Sequence, residues 1–224
     1  MQICLFVSRS RGAGETRIYA IIAVFVIFVI ILTVIFSGTS FSHAYVDATV
    51  LTDGWRENPE EREGASQWFG GWRSITYTFE GDYPANLTVI TYKMLVLMSE
   101  QELQQKTEDA IENAIQQDIV VDNDTMVTGE RLLQNEHMTS YVVYNGTDES
   151  KNPHEQIKII GEVWNCGTTG VSIVCIGIAQ ITDNAHNDST IDTDSWYKII
   201  RDVQGTFGID VKGDDGLIDN VICH

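Results

Sequence analysis

The segment Val171 to Ile181 constrains the fold more than any other, because around Val174 to Ile178 it is apolar on both faces. A strand of that kind has to lie inside a sheet and be covered on both sides. It follows Gln156 to Cys166, a second strand pattern, across Gly167-Thr168-Thr169-Gly170. A four-residue hairpin there pairs position 166 with 171, so the sheet is antiparallel at its centre. Hydrophobic residues make up 43% of the chain and there are only three prolines, which is enough apolar material for a real core and excludes a disordered chain.

Further elements can be placed around this hairpin. Asn58-Pro59-Glu60-Glu61 reads as a capped helix start with Gly70-Gly71 as its stop, which predicts a short helix over 59–69. Ile75, Tyr77 and Phe79 alternate as in a half-buried strand, and a longer strand pattern runs from Leu87 to Met98. Ser99 and Glu102 form a capping box. Behind it Leu103, Ala110, Ile111, Ala114 and Ile115 recur at helical spacing to about Gln117. Strand patterns near 126–133 and 138–145 reverse at Asn135-Glu136-His137. A helix carrying Trp196, Ile199 and Ile200 is expected over about 194–203, and a last short strand over 217–222. The expected fold class is α+β, an antiparallel sheet packed with helices. This order resembles the PsbP-like α/β/α sandwich: paired strands ending in Leu95-Val96-Leu97, the helix start Ser99-Glu100-Gln101-Glu102-Leu103, a meander, and a closing helix at Trp196. The resemblance implies a non-catalytic binding or assembly factor. The segment Glu162-Val163-Trp164-Asn165-Cys166-Gly167 also looks like sequences of archaeal membrane proteins and implies no activity.

From Ile18 to Phe36 only Tyr19 and Thr33 carry a polar side-chain group, and 19 residues of helix reach about 28 Å, close to a hydrocarbon core. The expectation is a transmembrane helix over 18–36 in contact with membrane lipid. Arg9, Arg11 and Arg17 precede it, which places the N-terminus in the cytoplasm. The chain then divides into a cytoplasmic tail (1–17), the helix (18–36), a juxtamembrane segment (37–73) and an extracellular domain (74–224) of a single-pass cell-membrane protein. Two rival readings are a signal peptide cut near Ser42-His43-Ala44 and a type IV pilin-like leader. The latter rests on Arg9, Arg11 and Gly12 before Glu15, although the glutamate spacing departs from that family.

The formal net charge is −18, and every acidic residue except Glu15 follows the apolar stretch. Such a surface disfavours nucleic acid. Asn86, Asn123, Asn145 and Asn187 each begin an N-x-[ST] sequon, the acceptor pattern of a glycoprotein. Cys166 and Cys175 lie four residues apart along the hairpin ladder, about 13 Å and beyond disulfide reach. Cys175 reads as a small buried hydrophobe, and Cys166 with Cys223 is the preferred disulfide, worth roughly 4 kcal/mol on the loop-entropy account. No C-x-x-C or Cys/His zinc spacing occurs, so no structural zinc site is expected.

Asp183, His186, Asp188, Asp192 and Asp194 form the most polar constellation, and carboxylates so close in sequence could hold Ca2+. Against this, no EF-hand pattern is present, and a solvated loop with Asp192 or Thr193 as helix cap accounts for the same residues. Trp68 and Trp72, near Gly70-Gly71, are candidates for contact with a sugar, a lipid or the core. No catalytic pattern is present: no G-x-S-x-G, H-E-x-x-H, phosphate loop or dinucleotide fingerprint. The sequence therefore reads as a non-catalytic binding or assembly module with an unidentified protein or glycan partner. A metal-assisted hydrolase using the 183–194 loop and a pilin-like subunit are the alternatives.

Overall fold

The computed structural model describes residues 26–29, 42–52, 54–67, 72–81, 84–94, 96–115, 118–133, 135–183, 188–191, 194–200 and 216–224. The chain divides into two units, Met1–Phe41 and Ser42–His224. In the first, helical backbone is described at 26–29, and the remainder lies outside the described residues.

The second unit is built on one seven-stranded antiparallel sheet. Its strands are β2 (Arg56–Gln67), β3 (Trp72–Glu80), β4 (Ala85–Lys93), β5 (Ile119–Leu132), β6 (Met138–Asp148), β7 (Glu155–Cys166) and β8 (Val171–Gln180). They lie in the order β2-β3-β4-β8-β7-β6-β5. Strand β8 is fully buried along its length and sits at the centre between β4 and β7, as its two apolar faces require. Cys166 pairs with Val171 across the hairpin, so Cys175 lies opposite Glu162, out of reach of Cys166 along the ladder.

Each face of the sheet is covered by a different element. Helix α1 (Glu100–Ala114) starts at the Ser99 capping box, in which Ser99 N–H donates to Glu102 Oε2 at 2.8 Å and the Glu102 N–H donates back to the Ser99 hydroxyl. Leu103, Ala110 and Ile111 pack with Ile157, Ile159, Val163, Val174, Ile176 and Ile178. Gly161 permits this approach, since a Cβ there would collide with Thr107 Cγ2 and meet Ile111 Cδ1 at 3.0 Å. The opposite face carries helix α2 (Asp194–Ile200), where a Cβ on Gly177 would meet Ile199 Cγ2 at 2.7 Å. Beside it runs the chain end: Ile218–Asn220 forms a 3-10 turn, and β11 (Val221–Ile222) pairs with β1 (Tyr45–Val46). A second two-stranded ribbon joins β9 (Thr182–Asp183) to β10 (Asp188–Ile191).

Three expectations are corrected. The fold class is not α+β behind a transmembrane helix: the described residues are mostly strand, one large antiparallel sheet with α1 and α2 packed on it. Residues 59–67 are strand rather than helix: β2 pairs with β3, and the register shift between Asn58 and Glu63 accommodates Pro59 on an edge strand, where its missing N–H costs no ladder bond. Cross-strand pairing has overridden the local capping signal. Among the described residues no helix is long and apolar enough to cross a membrane. The helix expected over 18–36 and, with it, the single-pass placement with an extracellular C-terminal domain find no support in that result; apart from 26–29, that stretch lies outside the described residues.

Candidate metal centre

Strand register brings the first two donors together. In the β6–β7 ladder Ser140 faces Val163, and continuing it three residues towards the start of β6 sets His137 opposite Cys166. His137 belongs to the turn between β5 and β6, where Glu136 takes a left-handed φ of 64°. That conformation is unfavourable for a residue with a Cβ. It is held by Glu136 N–H donating to Leu133 O at 3.0 Å and by His137 N–H donating to Asn135 Oδ1 at 3.2 Å.

The other two donors arrive on the chain end. Asn135 Nδ2 donates to Val221 O at 3.1 Å, tying the turn to β11. Deeper in the sheet, Arg131 makes a two-pronged contact with Glu162, Nε to Oε1 at 2.8 Å and Nη2 to Oε2 at 2.7 Å, while its Nη1 reaches both oxygens of Asp219 at 3.3 Å. The Thr139 hydroxyl also donates to Glu162. Burial works to lower the Arg131 pKa, but the two carboxylates outweigh it and hold the guanidinium charged. Asp219 and Val221 are thereby fixed, and Cys223 and His224 fall beside Cys166.

The result is a cluster of His137, Cys166, Cys223 and His224 whose ligand atoms all lie within 4.8 Å of one another and which could hold a metal ion. His137 Nε2 is 3.1 Å from Cys223 Sγ. His224 Nδ1 is 3.6 Å from Cys223 Sγ and 3.9 Å from Cys166 Sγ. Zinc bonds of about 2.3 Å to sulfur and about 2.0–2.1 Å to nitrogen give tetrahedron edges of roughly 3.3–3.8 Å. These separations match that size with small adjustments. Cys166 and Cys223 are buried and His224 is exposed, so the cluster sits just beneath the surface.

The electrostatics favour one thiolate. Burial raises the Cys166 thiol, but the Cys223 S–H, the Thr169 hydroxyl and N–H, and His224 outweigh it and bring it down to about 7. Burial and the neighbouring Cys166 push Cys223 up to about 12. The pair shares one proton. Burial, then His224, lowers the His137 pKa, which keeps an imidazole lone pair free for a cation. The buried Trp164 Nε1 and Thr169 Oγ1 make no hydrogen bond to a described residue. Yet the Trp164 N–H acts on Cys223 and the Thr169 hydroxyl on Cys166. Donors beside sulfur are what thiolate ligands attract.

Other expected positions fall differently. Cys166 and Cys223 do converge, as unbonded thiols. Asp183, Asp188 and Asp194 lie in β9, β10 and the start of α2, with their side chains outside the described residues, as are His186, Asp192 and Thr193. The Ca2+ reading thus rests on sequence alone. Trp68 is outside the described residues and Trp72 opens β3, its side chain not described. Asn86 is half-buried on β4, Asn123 and Asn145 are exposed on β5 and β6, and Asn187 lies outside the described residues. Against the expectation of no structural zinc site stands a cluster that could hold a metal ion, its donors drawn from the β5–β6 turn, the end of β7 and residues 223–224 rather than from one local motif. The adjacent pair Cys223-His224 and the turn histidine His137 were the signals for it. No family model, curated protein or solved structure matches this chain.

Proposed function

We propose that this chain is a non-catalytic binding module organised around a Zn2+ centre made by His137, Cys166, Cys223 and His224. The observation that carries this reading is the convergence of two sulfurs and two imidazole nitrogens within 4.8 Å. Mixed thiolate and imidazole donors in a compact tetrahedral set suit zinc, whereas Ca2+ and Mg2+ take oxygen. Four protein ligands close the shell and leave no position for an activated water, so the ion holds structure rather than catalysing. Its task is to clasp the chain end, residues 216–224, to the turn ends of β5–β6 and β7–β8. The acidic surface, with a net charge of −18, raises the local concentration of cations.

Calorimetric titration of the reduced protein tests this reading. One Zn2+ per chain should bind with a Kd of about 10 nM or tighter. His137→Ala and Cys223→Ser should each weaken binding by more than the roughly 10- to 100-fold that losing an outer hydrogen-bond partner costs. Unchanged affinity in both variants would place the ion elsewhere.

A further inference from the structure

The same two sulfurs that would hold the ion are placed to react with each other. Cys166 and Cys223 lie in one cluster, with Cys166 Sγ 3.7 Å from the Cys223 carbonyl oxygen. Cys175 is on the same face of the sheet but fully buried opposite Glu162, outside the cluster. The pair is therefore selective by position. Cys223 lies just beyond β11, next to the exposed His224, and Cys166 is the last residue of β7.

We propose that Cys166 and Cys223 form a redox latch on the zinc centre: a low-molecular-weight disulfide oxidises the two thiolates to a single disulfide and expels the ion. This inference rests on the zinc reading above. With zinc bound both sulfurs are thiolates, and in the first step that of Cys223 attacks one sulfur of the reagent, forming a mixed disulfide and releasing one thiolate. In the second, the Cys166 thiolate attacks the Cys223 sulfur, the Cys166–Cys223 bond forms, and the second reagent thiolate leaves. Two electrons pass from the cysteine pair to the reagent, and the zinc-bound dithiolate becomes a disulfide, two reagent thiolates and free Zn2+. The chain end remains tied to the sheet in both states. What changes is that His137 and His224 lose the ion they share.

The test uses the full chain, reduced and loaded with one equivalent of Zn2+, then titrated with oxidised glutathione. Ion release is followed with a chromogenic chelator, and the products by intact and peptide mass spectrometry. The expected result is one ion released per chain, loss of two hydrogens from the mass, a Cys166–Cys223 cross-linked peptide, and the same behaviour in Cys175→Ser. Retention of the ion, stable glutathione adducts without an internal bond, or a bond to Cys175 would overturn the latch while leaving the zinc reading intact. Failure to load zinc before any oxidant is added would overturn the zinc reading and the latch with it.

Discussion

His137 Nε2 and Cys223 Sγ meet at 3.1 Å although 86 residues separate them in the chain. The contact closes the gap between the β5–β6 turn and the segment beyond β11, and it is supported on both sides by bonds that do not involve metal. Asn135 holds Val221, and Arg131 holds Asp219. The donors are therefore largely set in place before an ion arrives.

Metal removal should loosen the chain end without unfolding the sheet. An ion present at about 100 times its Kd stabilises by about 2.7 kcal/mol. At roughly 2–4 °C per kcal/mol for a domain of this size, a chelator should lower the melting temperature by about 5–10 °C. Thermal unfolding with and without chelator measures this, and Cys223→Ser should show no chelator effect.

Arg131→Met leaves Glu162, whose side chain is 0% exposed, as a buried charge without its main partner. The expected loss is about 3–5 kcal/mol in denaturant unfolding. Amide exchange at Val221 and Ile222 should accelerate, since Asp219 loses its anchor.

Gly161 and Gly177 should behave alike from opposite faces. Gly161→Ala drives a methyl into Thr107 of α1, and Gly177→Ala drives one into Ile199 of α2 and Ile160 of β7. Each should cost about 1–3 kcal/mol by overpacking. Chemical denaturation of both variants checks this, and a neutral result at either site would show that its helix sits farther from the sheet.

The α1 cap carries a pH signature. The Ser99 N–H, then its hydroxyl, hold the Glu102 carboxyl below its ordinary value of 4.5. A carboxylate favoured by folding stabilises above its unfolded pKa, and that contribution is lost as pH falls through the lower folded value. Stability of the native chain should therefore fall more steeply below about pH 4.5 than that of Glu102→Gln, measured by denaturant titration across pH.

The sheet centre was legible because β8 shows its environment in its own residues: Ile173 to Ile178 has no polar face, and Gly167 to Gly170 announces the hairpin. The Ser99 box was legible for the same local reason. Strand β2 was not, since Asn58-Pro59-Glu60-Glu61 carries every sign of a helix start, and only pairing with β3 decides otherwise. The site was half legible. Cys166 and Cys223 could be brought together by excluding Cys175, but His137 joins them only through the β6–β7 register, and His224 only through the path of the chain end. Neither relation is written in local spacing.

Substitution of Co2+ for zinc in the reduced protein tests the central claim most directly, because its visible spectrum reports both geometry and sulfur ligation. One Co2+ per chain with intense tetrahedral bands and a thiolate charge-transfer band, the latter weakened in Cys166→Ser and in Cys223→Ser, is the predicted result. A pale octahedral spectrum that neither substitution alters would contradict the account.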